Sequence, residues 1–241
     1  MFSLFRRTVT APQGMVYSLF SDMAKQPHLL IAGATGSGKS VIINGIIVNL
    51  MHETPDKVGF IFIDPKRVEL SQYRRLPHCI RYASEPEEHV SALEKALEIT
   101  EQRYKAMIKR GLRMYDGGNV YVIIDELADL MTTDRKHIQP LIQRLCQIGR
   151  AARVHVIAAT QCPLASVIPT QISVNFDSRV GLRTRNAQDS RNILGNAGCE
   201  QLPRYGYGYY RTPEETTLYR IPMYEEGKCR ELVEYWKHMA A

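Results

Sequence analysis

The sequence predicts a doubly wound α/β domain, with a mostly parallel central sheet and helices on both faces. Three observations point there. Short, nearly continuous apolar runs recur along the chain, as strands covered on both faces require. Amphipathic stretches of helical period separate them. The runs end on Gly33, Asp64, Asp125 and Gln161, and sheets of this kind carry their sites at the carboxyl ends of the strands.

Residues 1–27 read as a lead-in ending at Pro27, and 28–241 as one domain. His28 to Ala32 is the first apolar run and leads into a glycine-rich loop. From Ser40 to about His52 the pattern is helical. Val58 to Ile63 is the second run, and Asp64-Pro65-Lys66 after it suits either a turn or an unspecified nucleotide-linked role. Pro86 to about Lys109 places Val90, Leu93, Leu97, Thr100, Tyr104 and Met107 at helical spacing. This helix opens on Glu87 and Glu88 and closes on basic residues, as the helix dipole favours. Val120 to Ile124 is the third run. His137 to Gly149 carries Ile138, Leu141, Ile142, Leu145 and Ile148 on one helical face. Val154 to Ala159 is the fourth run, and Arg179 to Leu182 a weaker fifth. His155 falls inside a strand and reads as core. Tyr205, Tyr207, Tyr209 and Tyr210, spaced by glycines, suit either stacking on a base or a strand pair at the sheet edge.

The 241 residues suffice for one large α/β domain or two small ones. Composition is ordinary globular, 44% apolar and 23% charged. The net charge of +6 permits an anionic partner without requiring one. The five cysteines contain no CxxC pair, which argues against a disulfide framework or a zinc site and fits a reducing cytosol. No stretch reaches the roughly 18 apolar residues of a membrane span. Val41 to Met51 is interrupted by Asn44 and Asn49. The first ten residues lack the apolar core of a signal peptide. The expectation is a cytoplasmic protein with no membrane segment in this chain.

Gly33-Ala34-Thr35-Gly36-Ser37-Gly38-Lys39-Ser40 matches GxxxxGK[ST] between a strand and a helix. Phosphates need inward backbone N–H groups at close range, which a glycine-rich loop supplies. Lys39 is expected to reach the β- and γ-phosphates of ATP and Ser40 to bind Mg²⁺ through its hydroxyl. Val41 and the helix start add the positive dipole end. Asp125 is expected to hold Mg²⁺, and Glu126 to polarise the attacking water. Asp and Glu also cap helices where strands feed them. Gln161 suits either a side chain that orients water or senses hydrolysis beside the γ-phosphate, or a loop residue satisfying local backbone groups. Arg150 and Arg153 suit either an arginine finger acting on a neighbouring subunit or a solvated helix end.

These motifs together resemble the motor domain of the FtsK/SpoIIIE DNA translocases, in the FtsK–HerA superfamily. The resemblance rests on the stretch from Ala24 to Ser40, Ile63-Asp64-Pro65-Lys66 with Glu69-Leu70, and Leu76-Pro77-His78. It continues through Glu101 to Lys105 with Met107, Val122 to Met131, and Arg150-Ala151-Ala152 with Ala159-Thr160-Gln161. It implies a RecA-like P-loop NTPase fold and a homo-oligomeric, usually hexameric ring with ATP sites between subunits. It also implies duplex DNA threaded through the pore. On this chain it makes Glu126 the catalytic base, Gln161 the sensor and Arg150 the finger acting in trans.

Some features depart from the family pattern. Cys162-Pro163 stands where Arg-Pro usually follows the sensor, and residues 162–175 carry no lysine or arginine. Backbone N–H groups with Ser166, Thr170, Gln171 and Ser173 are the remaining phosphate donors there. Basic residues concentrate instead at Arg103, Lys105, Lys109, Arg110 and Arg113. With no winged-helix domain after residue 241, sequence-directed loading on DNA is not expected of this segment. Two other classes fit the sequence: a superfamily motor acting on protein, which the uncharged loop favours, and a non-hydrolysing nucleotide-gated assembly protein, which Asp125-Glu126 argues against.

Overall fold

The computed structural model describes residues 27–164, 167–221 and 226–239, so residues 1–26 of the expected lead-in lie outside it. The predicted apolar runs are strands β1 (Leu29–Ala32), β2 (Val58–Ile63), β4 (Asn119–Ile124), β5 (Val154–Thr160) and β6 (Ser178–Gly181). Three further strands are β3 (Cys79–Ala83), β7 (Tyr207–Arg211) and β8 (Thr216–Arg220). All eight form one sheet in the order β3-β2-β4-β5-β1-β6-β7-β8. The first six in that order are parallel, and β7 and β8 add an antiparallel edge. The tyrosine-rich segment is thus an edge strand pair.

Alternation along the strands divides the core. Leu29, Ile31, Phe60, Phe62, Tyr121, Ile123, Ile157 and Ala159 face helices α1 (Lys39–Leu50) and α6 (Glu226–Met239). Leu30, Ile61, Ile63, Val122, Ile124, Val156 and Ala158 face α2 (Pro86–Arg110) and α3 (Leu127–Ala152). Short helices α4 (Thr170–Ser173) and α5 (Ala187–Leu194) follow. The indole N–H of Trp236 on α6 donates to the Met51 carbonyl at 2.8 Å, tying the last helix to the end of α1.

Helix α2 runs as its spacing predicts. Glu85 and Glu88 form a capping box, Pro86 opens the first turn and Gly111 closes the helix in the left-handed region. Helix α3 starts ten residues earlier than the apolar spacing suggests. It kinks at Asp134, whose φ of −149° is not helical, and it contains Pro140. Asp134 accepts from the His137 backbone N–H and so restarts the helix there.

His28 and His155 are buried at the start of β1 and β5. The Val156 N–H donates to His28 Nδ1 at 3.1 Å, a bond that requires the lone pair of a neutral ring. Burial lowers His28 to about 3, helped by the charge of His155. Burial likewise lowers His155 to about 4, with Arg103 and Arg153 adding to it. Between those values and the unfolded value near 6.5 the unfolded chain binds more protons. Their contribution is therefore complete above about pH 6.5 and is lost as pH falls. At pH 5 the loss is about 2 kcal/mol for each ring. Burial also raises Asp125, to about 7, which acts with the opposite sign. The measurement is therefore a difference: between pH 7.5 and pH 5 the urea midpoint of the wild type should drop more than that of His155→Gln. Equal drops would refute the assignment.

Candidate functional site: a phosphate-binding loop and its acidic strand ends

The loop after β1 lies between two neighbouring strands. Gly33 N–H donates to the Thr160 carbonyl on the β5 side, and Ala34 N–H to the Arg183 carbonyl beyond β6. A Cβ on Gly33 would lie 2.6 Å from Ser37 Oγ and 2.7 Å from Leu182 Cβ, so only glycine fits. Gly36 and Gly38 take φ of 70° and 105°, which side-chain-bearing residues rarely adopt. Helix α1 starts with no side-chain cap and no acidic residue in its first turn. Its orphan N–H groups and positive dipole end thus remain available to an anion.

Lys39 is buried, and its ammonium donates to the Gly33 and Ala34 carbonyls at 2.9 and 3.0 Å. Burial holds it below the usual lysine value, with Glu126 and Asp125 opposing. Ser37 Oγ is buried without a hydrogen-bond partner, an orphaned polar group inside the loop.

The ends of β2, where Lys66 lies, of β4 and of β5 close on this loop. At the end of β4, Asp125 is pushed up to about 7 by burial and by the carboxylates of Glu69 and Asp64. Glu126 is buried, with one carboxylate oxygen accepting from the Gln161 N–H at 3.0 Å. Its other oxygen accepts from Lys66 Nζ at 3.0 Å. At the end of β5, Gln161 Oε1 accepts from the Thr35 hydroxyl at 2.7 Å, joining this strand end to the phosphate loop. Thr35, Gly36, Gly38, Lys39, Ser40, Val41, Lys66, Glu69, Asp125, Gln161 and Tyr205 line one cavity of about 540 Å³. That volume suits a nucleotide-sized ligand. Loop residues, Asp125 and Gln161 thus line one cavity, and Glu126 is bonded to two of its lining residues, Gln161 and Lys66. The tyrosine segment contributes too, since Tyr205 precedes the edge pair and lines the cavity.

Arg150 is not part of this cluster. It is exposed in the last turn of α3. Strand β5 starts just after that turn, so its length of about 20 Å separates Arg150 from Gln161. Arg153 takes φ of 55° as the C-cap of α3, which explains its position structurally. The basic residues of 103–113 lie at the same end of the sheet, and Tyr115 N–H donates to the Ala151 carbonyl. Arg103 is committed to the fold, donating to the Ala152 and Arg153 carbonyls and stacking on Tyr115. Arg110 pairs with Asp116. Lys105, Lys109 and Arg113 are exposed.

The 162–175 segment is anchored by Ile168 and Ile172, and Ser166 lies outside the described residues. Arginines outside the segment hold its backbone: Arg135 donates to the Val167 carbonyl at 3.0 Å and Arg179 to that of Ser173 at 2.7 Å.

The sequence suggested a nucleotide-linked role for Asp64-Pro65-Lys66 without specifying it, and none for Glu69 or for the arginines 183, 185 and 204, which line a second cavity of about 420 Å³ with Ala34, Thr35 and Ser37. The available signal was Asp64-Pro65-Lys66 at a strand end. The arginines carried none, because two lie after β6 and one after a short 3₁₀ turn (Cys199–Gln201).

Two comparisons of sequence and one of structure bear on this site. The model of the FtsK/SpoIIIE family matches residues 9–121 and 118–166. The DNA translocase FtsK of Rickettsia bellii is 37% identical across 91% of this chain and 35% of its own length. That of Streptococcus pneumoniae is 40% identical across 83% of this chain and 29% of its own. The chain therefore spans about a third of the length of these relatives. The pCW3 conjugation coupling protein TcpA, solved with ATPγS, superposes with a TM-score of 0.78 at 24% identity, over 89% of this chain and 66% of that one. The type VII secretion ATPase EccC of Thermomonospora curvata gives 0.73 at 23% identity, over 87% and 28%. The fold is accordingly that of P-loop ATPase domains, and on the extent of the sequence match the chain belongs to the FtsK/SpoIIIE family.

Proposed function

We propose that this chain is an ATP-driven DNA translocase motor, which hydrolyses Mg·ATP between subunits of a homo-oligomeric, hexameric ring and moves duplex DNA through the pore. The observation that carries the reading is one cavity lined by the phosphate loop, Asp125 and Gln161, with Glu126 bonded to two of its lining residues, Gln161 and Lys66. The relatives named DNA translocase FtsK support DNA as the substrate.

The residues fit the nucleotide and its metal. ATP phosphates would sit on the loop N–H groups and the start of α1, meeting the Lys39 charge and the orphaned Ser37 hydroxyl. Mg²⁺ would be held by Ser40 and Asp125 and would neutralise charge on the β- and γ-phosphates. Mg²⁺ needs only one or two carboxylates besides phosphate and water. That agrees with the lack, among the described residues, of any group of three metal-ligating side chains. Glu126 then takes the proton of the attacking water, and Gln161 positions that water from its bond with Thr35.

The five cysteines, none of them in a disulfide, fit a reducing compartment, and we place the motor in the cytoplasm. No helix among the described residues is long and apolar enough to cross a membrane. A related motor acting on protein remains the second reading, favoured by the uncharged 162–175 loop. ATP turnover with duplex DNA at low salt separates the two. Stimulation that fades steeply with salt is expected of phosphate contacts. No stimulation would refute DNA as the substrate. Electron micrographs with ATPγS and DNA should show closed rings filled by the duplex.

A further inference from the structure

Among the residues lining the nucleotide cavity, Lys66 has no place in the mechanism above. Its setting is a rigid turn. Asp64 is fully buried, and its Oδ2 accepts from the Leu70 N–H at 3.0 Å and the Tyr82 hydroxyl at 3.2 Å. The Asp64 carbonyl accepts from Arg67 N–H at 3.0 Å. Arg67 takes φ of 60°, and its guanidinium is fixed to Glu85 at 2.5 Å. A side-chain-bearing residue in the left-handed region costs of order 1 kcal/mol and persists only where its surroundings impose it. The turn therefore has a fixed shape, and it presents Lys66 to the cavity that holds Lys39, Ser40 and Gln161.

The Lys66 side chain is 37% exposed, while its partner Glu126 is 3% exposed. Burial works against the Lys66 charge but is outweighed by the hydrogen bond and charge of Glu126, and its pKa lies above the usual lysine value. Both carboxylate oxygens of Glu126 are engaged, one by Gln161 N–H and one by Lys66. An oxygen held by the ammonium is not open to a water molecule, so Oε2 must lose that partner before it can meet one.

We propose that Lys66 senses the terminal phosphate: its ammonium exchanges Glu126 for the γ-phosphate, which distinguishes ATP from ADP and frees Glu126 Oε2 for the attacking water. This rests on the hydrolytic reading of the site. A terminal phosphate carries more charge than a carboxylate. An ammonium on a four-carbon stem has three donors and can change partner without moving the turn. When phosphate leaves, Lys66 returns to Glu126 and the base is engaged again. Lys66 is thus a positioning residue towards Glu126 and a direct contact of the nucleotide.

The test is the affinity for ATPγS against ADP, both with Mg²⁺, in wild type, Lys66→Ala, Lys66→Met and Lys66→Arg. Lys66→Met keeps the aliphatic stem should alanine perturb the fold. For the alanine and methionine variants, ATPγS affinity should fall about tenfold to a hundredfold, the scale of one charge-assisted contact, while ADP affinity stays within about twofold. Lys66→Arg should recover most of the preference. If ATPγS and ADP affinities fall together, or neither changes, Lys66 is only the counter-charge of a buried glutamate and the proposal is wrong. These are binding readouts. A failure of Glu126 as the base would show instead as turnover persisting in a Glu126 variant with the ATPγS preference intact.

Discussion

Replacing Glu126 with glutamine should lower ATP turnover by about two to four powers of ten and leave ATP affinity within a fewfold. The position explains the separation. Glu126 is the extended residue between β4 and α3, with φ of −142° and ψ of 95°, so the strand end and the helix start both fix it. It is buried, yet adjoins the cavity through Lys66 and Gln161. Glutamine retains an oxygen for the Gln161 N–H and keeps the shape, but cannot accept a proton from water. The phosphate loop, Lys39 and Ser40 are untouched, so binding persists. Asp125→Asn should behave differently: it acts on metal affinity, and its defect should shrink as Mg²⁺ rises. If Glu126→Gln turns over at the wild-type rate, the base lies elsewhere. Asp129 is the next carboxylate on α3, and burial raises its pKa as well.

How far the sequence discloses this molecule depends on where each element sits. The central strands were legible because both faces are covered, leaving unbroken apolar runs such as Val58–Ile63. Strand β3 was not, because at the edge it needs only one covered face, and Cys79–Ala83 carries an exposed Arg81 and Ile80. Strands β7 and β8 alternate in burial, so their tyrosines fitted a stacking platform equally well. The early start of α3 was hidden by Asp134, which interrupts the apolar spacing and separates Leu127–Thr133 from the longer part. In the site, residues next to one another on a strand end were readable. Contacts across elements were not. The Lys66–Glu126 pair spans sixty positions and Thr35–Gln161 spans 126, and no local pattern encodes either. Residues 162–175 are anchored by the same kind of contact, since Arg135 and Arg179 reach their carbonyls from α3 and β6.

Replacing Arg150 with alanine should cost about three to five powers of ten in turnover if it is the finger, the largest effect expected of any exposed residue here. The fold dictates how that effect must arise. Arg150 stands at the amino ends of the strands and its own nucleotide cavity at their carboxyl ends, so it can act only on a neighbouring subunit. Arg150→Ala and Lys39→Ala subunits would each be inactive alone. Mixed in equal amounts, about a quarter of the interfaces would pair an intact phosphate loop with an intact Arg150, and turnover should return in proportion. A competing role comes from its surroundings. Arg150 shares its end of the sheet with Lys105, Lys109 and Arg113, which are exposed and suit phosphate contacts of DNA. As one more basic contact, its loss would weaken DNA stimulation and its salt dependence but leave DNA-independent turnover intact. Arg183, Arg185 and Arg204 beside the phosphate loop would then be the arginines nearest to the reacting phosphate. Basal turnover of Arg150→Ala measured without DNA therefore decides between the two roles, and the mixing experiment decides whether the action is in trans.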